Sequence, residues 1–175
     1  MLRSTRSRLG ALVAASVIAL TGCAQGNPSS AFELGDRRVS MEQLDDYTQA
    51  CKPLFNDDSA GLTGIRNLVA GSLISEELQA RHNLSFSDEQ IQGALAQFNQ
   101  EVGLSVPGCA PLFTKLGGLH LTMAKLTPEK GLAEIEKMDF KVNPRLGTWD
   151  SKRLGVVMGG SELSGLAPIT RDSGD

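Results

Sequence analysis

Residues 60–83 read AGLTGIRNLVAGSLISEELQARHN. Leu62, Ile65, Val69 and Leu73 recur at helical spacing along one face, and Leu68, Ile74 and Leu78 widen it. A stripe that broad belongs to a helix covered on two sides, so this segment is expected to be the central helix of a helical domain. Arg81 and His82 suit the negative end of the helix dipole, and Asn83 tolerates the left-handed conformation that ends a helix.

The pattern extends in both directions. Upstream, Ser40-Met41-Glu42-Gln43 is a capping box, in which Ser and Gln satisfy orphan backbone donors reciprocally. Met41, Leu44, Tyr47 and Cys51 then share a helix face, and Pro53 closes the helix. Asn56 to Ser59 reads as a solvent-facing loop with too few oxygen ligands at set spacing for calcium. Ala31 to Val39 is expected to form a short strand or hairpin turning at Gly35-Asp36. Downstream, Ser87-Asp88-Glu89-Gln90 is a second capping box opening a third helix, with Ile91, Leu95, Phe98 and Val102 on its apolar side. After Val106-Pro107-Gly108, a fourth helix carries Leu112, Leu116, Leu119, Met123 and Leu126. Gly117-Gly118 costs it roughly 2 kcal/mol against alanine, so a kink or a division is expected there. Thr127-Pro128 starts a fifth helix lined by Leu132, Ile135 and Met138. Phe140 to Trp149 contains Pro144 and Gly147, the signature of an edge strand or a bulged one. The expected fold is mainly α, with five helices and a short terminal strand pair.

The N-terminus carries a different kind of information. Arg3, Arg6 and Arg8 precede an apolar run from Leu9 to Leu20, followed by Leu20-Thr21-Gly22-Cys23. Twelve apolar residues rise only about 18 Å as a helix, short of a bilayer core of roughly 30 Å. This is a signal peptide, and Leu-Thr-Gly-Cys is similar to a bacterial lipobox, with Cys23 as the thiol that takes a diacylglyceryl group. The competing reading is an ordinary secretory signal with a chance cysteine. The expected organisation is a signal peptide at 1–22, lipidated Cys23 with a flexible tether to residue 33, a helical domain at 34–150, and a strand end with a Gly/Ser-rich tail at 151–175. The mature chain is expected on the extracytoplasmic face of the cell membrane.

Loss of residues 1–22 leaves 14 cations against 20 acids, a net charge of −6. No basic stripe remains for nucleic acid, and that balance also argues against electrostatic docking on anionic lipid, leaving the acyl anchor to hold the membrane. Two cysteines besides Cys23 remain, Cys51 and Cys109. In an oxidising compartment they are expected to form a disulfide, with two buried free thiols as the alternative.

Catalytic signatures are scarce. The chain contains no G-x-S-x-G, Walker loop, H-E-x-x-H or C-x-x-C. His82 and His120 lie 38 residues apart and read as a helix-end cation and a helix-surface residue. Asp45-Asp46 and Glu76-Glu77 point roughly 100° apart on their helices and read as solvated faces. Trp149 fits core or edge packing better than ligand stacking; of Met41, Met123, Met138 and Met158, which could form an adaptable apolar surface, the three on helical core stripes (Met41, Met123 and Met138) fit packing better. No metal, cofactor, catalytic residue or small-molecule substrate is expected.

The order of these motifs resembles a known family. Gly35-Asp36-Arg37-Arg38-Val39-Ser40 leading into Met41-Glu42-Gln43-Leu44, the long helix Leu62 to Arg81, then Asn83-Leu84-Ser85-Phe86 and Ser87-Asp88-Glu89-Gln90-Ile91, is similar to the N-terminal chaperone domain of SurA-type extracytoplasmic foldases. Val142 to Asp150 is similar to the closing segment of SurA-like lipoproteins. The likeness spans roughly residues 34–150 and leaves no room for the parvulin isomerase domains of that family. It implies a lipoprotein that holds unfolded or exported polypeptides without isomerising proline, and the wide apolar face at Leu68, Ile74 and Leu78 is the expected resting surface. A lipid-anchored assembly subunit binding one envelope protein is the alternative, and an enzyme with an unrecognised site is a third.

Overall fold

The computed structural model describes residues 28–55 and 58–158. Its elements run β1 (Ser30–Leu34), β2 (Arg37–Ser40), α1 (Met41–Cys51), α2 (Ser59–His82), α3 (Asp88–Ala96), α4 (Ala110–Leu126), α5 (Pro128–Ile135), β3 (Phe140–Val142), β4 (Thr148–Asp150) and β5 (Gly155–Val157). Short 3-10 turns follow α1 at Lys52–Leu54 and precede α4 at Glu101–Ser105. The fold is mainly α, with five helices and small antiparallel sheets.

Local chemistry sets the helix starts. Ser40 and Ser87 each accept from the backbone three residues on, while Gln43 and Gln90 reach back to the capping residue's N–H. Asp58 caps α2 by accepting from the Gly61 N–H at 2.7 Å, so α2 begins slightly earlier than the apolar pattern alone marks. It ends at Asn83, which takes the left-handed conformation (φ 51°). Thr127 stands before Pro128, but its hydroxyl makes no capping bond and its φ is 68°.

α2 packs chiefly on α4, which also carries α3 and α5, while α1 and β5 lie against α2. Ile65, Val69, Leu78, Leu95 and Ile135 are fully buried in the resulting core. β1 is the centre of a sheet ordered β2-β1-β3, and β4 pairs with β5. The hairpin turns at Gly35-Asp36 as expected.

Four expectations need correction. The tether bound at residue 33 is too late: the strand expected from Ala31 begins at Ser30 and runs to Leu34, with Ala31 and Phe32 wholly buried. A small alanine beside a phenylalanine suits a central strand, though its composition resembles a linker. The third helix stops at Ala96, and Asn99 turns left-handed (φ 54°), so Phe98 and Val102 are 54% and 57% exposed instead of facing the core. α4 runs unbroken through Gly117-Gly118. Both glycines are contact points: a Cβ at 117 would lie 2.8 Å from Ile91 Cγ2 and 3.0 Å from its carbonyl oxygen, and one at 118 would lie 2.5 Å from Gln79. Burial against two neighbouring helices offsets the propensity cost. Finally, Phe140 to Trp149 forms two strands, and β5 falls inside the stretch read as strand end and tail, with Val156 buried. Residues 159–175 lie outside the described residues.

Candidate functional site

Cys23 lies outside the described residues. Cys51 closes α1 and Cys109 stands immediately before α4; the two are joined, with Cα atoms 5.1 Å apart, inside the usual range for a disulfide. Both are fully buried. Gly108 lets the loop pass against α1, because a Cβ there would meet Ala50 Cβ at 2.7 Å. The bridge ties the end of the first helix to the start of the fourth, closing the stretch of chain that holds α2 and α3.

Leu68, Ile74 and Leu78 are 7%, 2% and 0% exposed. The apolar width of α2 is therefore buried by its packing on both sides, chiefly against α4 and also against β5 and α1. Among the described residues the large apolar side chains left exposed are Phe98, Val102 and Met158. Phe98 lies flat on His120, ring centres 4.3 Å apart, and His120 Nε2 is 2.9 Å from Gln100 Oε1. His120 is thus a half-buried packing partner, and its partial burial lowers its pKa below the ordinary 6.5. His82 reaches across to α5, with Nε2 2.8 Å from Glu134 Oε2. Its role is a tie between helices and extends beyond helix-end electrostatics.

Glu76 and Glu77 are also more than a solvated face. Arg37 on β2 pairs with Glu77 and lies 3.5 Å from Glu76, Arg81 lies 2.6 Å from Glu77, and Lys115 on α4 lies 3.0 Å from Glu76. The network links the hairpin, α2 and α4. Beneath it, Ser75 donates to the Lys115 carbonyl at 2.7 Å and accepts from Gln79.

A concave surface of about 340 Å³ lies between β3 and β4, lined by Phe140, Val142, Pro144, Gly147, Thr148 and Trp149. Phe140 and Val142 face it together because strand side chains alternate. Trp149 packs on Phe140 with ring centres 4.6 Å apart. The indole Nε1–H is shielded from water and has no acceptor among the described residues, a state that costs about 1–3 kcal/mol for a buried donor. Asn143 organises the turn beside the cleft. Its backbone N–H donates to the Ala31 carbonyl at 2.9 Å, and its side-chain amide donates to the Ser30 and Pro28 carbonyls at 2.8 and 3.3 Å. Sequence reading placed Trp149 in packing and left this cleft unseen; the period-two spacing of Phe140 and Val142 was the available signal.

No group of three or more His, Cys, Asp and Glu side chains is placed to hold a metal ion among the described residues, and none of their helices is long and apolar enough to cross a membrane. No family model matches the chain, and no curated protein or solved structure matches it either. The likeness to SurA-type domains accordingly stands on the order of the motifs alone.

Proposed function

We propose that the chain is a lipid-anchored extracytoplasmic protein whose domain binds one envelope protein and carries out no chemistry. The observation that carries the choice of one partner over many clients is the burial of Leu68, Ile74 and Leu78. Holding diverse unfolded chains calls for a broad exposed apolar surface of several hundred Å². Among the described residues the large apolar side chains left exposed are instead Phe98, Val102 and Met158. The lipobox-like Leu20-Thr21-Gly22-Cys23 and the joined Cys51–Cys109 pair support an oxidising, membrane-attached setting.

Two measurements test this reading. In membranes, crosslinking through a photoreactive residue at Val102 should give one dominant adduct. In light-scattering assays a several-fold molar excess of the mature protein should leave aggregation of unfolded model proteins unchanged. A ladder of many adducts together with suppressed aggregation would return the account to the SurA-type holding activity, and turnover abolished by one point mutation would replace both with an enzyme.

A further inference from the structure

We infer that the face carrying the Trp149 cleft rests on the anionic headgroup surface of the membrane, an orientation that rests on the acylation of Cys23 proposed above. The net charge of −6 conceals a strong polarity. Residues 28–139 hold nine cations and 16 acids, whereas residues 140–158 hold four cations and one acid. The positive segment is the one that builds the cleft. Arg145 and Lys152 are exposed and make no ion pair among the described residues, and Arg153 pairs only with Asp150 of the same hairpin.

Chain geometry puts this segment next to the anchor. Five Cα–Cα steps from Cys23 to Pro28 reach at most about 18 Å, while a domain of this size is on the order of 36 Å across. The headgroup layer takes up roughly 5–8 Å of that reach. The part of the domain around Pro28 must therefore stay at the membrane. Asn143 clamps that part to the cleft, since its side chain holds the Pro28 and Ser30 carbonyls and Pro144 follows it directly. An apolar hollow edged by Trp149, Phe140 and Val142, with the exposed Arg145 following its wall residue Pro144 in the chain, matches the layered chemistry of a lipid interface.

Trp149 is the sole tryptophan, so its fluorescence reports this contact directly. The mature acylated protein is reconstituted into vesicles of phosphatidylcholine with or without phosphatidylglycerol, each brominated on the acyl chains. The expected result is co-flotation with both vesicles, with a blue shift and quenching of Trp149 that are much stronger in the anionic ones. Each surface cation contributes about a fivefold factor to such docking, so Arg145→Gln combined with Lys152→Gln should lower the ratio of docked to undocked protein roughly 30-fold. Acylated protein that floats with anionic vesicles while Trp149 stays unquenched overturns the orientation alone, as does protection of Trp149 only by a crosslinked protein partner. Protein carrying no acyl chain overturns the anchor and this orientation together.

Discussion

Two glycine-to-alanine changes of identical chemistry should move stability in opposite directions. Gly93 lies in α3, exposed, and a Cβ there meets nothing within 4 Å. Gly93→Ala therefore keeps the full helix-propensity gain of about 1 kcal/mol. Gly117 lies in α4, where the added carbon would approach Ile91 Cγ2 at 2.8 Å, the Ile91 carbonyl oxygen at 3.0 Å and Leu95 Cγ at 3.2 Å. Two of these atoms belong to well-packed core side chains and one to backbone, so α3 as a whole must move away. Overpacking of this kind costs up to about 3 kcal/mol, leaving a net loss of about 2 kcal/mol after the propensity gain. With an unfolding entropy of about 2.1 cal/mol/K per residue over roughly 130 residues, that is a fall in Tm of about 7 °C. On the same scale Gly93→Ala should raise it by about 4 °C. Thermal unfolding followed by circular dichroism at 222 nm on the oxidised domain measures both. If Gly117→Ala melts at or above the parent, the close approach of α3 to α4 is wrong, and the unbroken α4 loses its explanation.

Reducing the Cys51–Cys109 bridge opens a loop of 58 residues' separation, worth about 4 kcal/mol in unfolded-state entropy. The Tm should drop by roughly 15 °C on that basis. Alkylation with mass readout before and after reduction checks the pairing, and two cysteines that alkylate freely in native protein would exclude it. His120 should titrate below the ordinary 6.5 because burial disfavours its charged form. The unfolded chain then binds the extra proton first, so stability rises with pH between the folded value and 6.5 and is lost as pH falls through that window. Denaturant unfolding from pH 5 to 7 should show this slope in the parent and a shallower one in His120→Gln; identical slopes would place His120 in solvent.

How much of this was legible in the chain depends on how local the determinant is. α1 and α3 announced themselves through capping boxes at Ser40 and Ser87, and α2 through its apolar periodicity, because each signal acts within four residues. The ends and interruptions depended on partners far away in sequence. Gly117-Gly118 reads as a break until Ile91 and Gln79 are known to lie against it. Phe98 and Val102 continue a helical spacing that Asn99 interrupts in space. β5 is only three residues, the first of them a glycine, and it forms because β4 pairs with it and the Asn67 side-chain oxygen accepts from the Val156 N–H at 2.7 Å. The breadth of the α2 stripe was visible, yet the stripe alone does not distinguish a surface offered to clients from one buried by α4 and β5. The Trp149 cleft is tertiary throughout: its walls are local, but its place beside Pro28 comes from one asparagine 115 residues away.

The claim on which the rest depends is that Cys23 becomes the first residue of the mature protein and carries lipid. Intact-mass and peptide mass spectrometry of the protein extracted from bacterial membranes tests it most directly. The account predicts an N-terminal peptide beginning at Cys23 with the mass of a diacylglyceryl thioether, and loss of both processing and lipid in Cys23→Ser. An unmodified Cys23 within an uncleaved precursor, or a mature terminus downstream of residue 23, would contradict it.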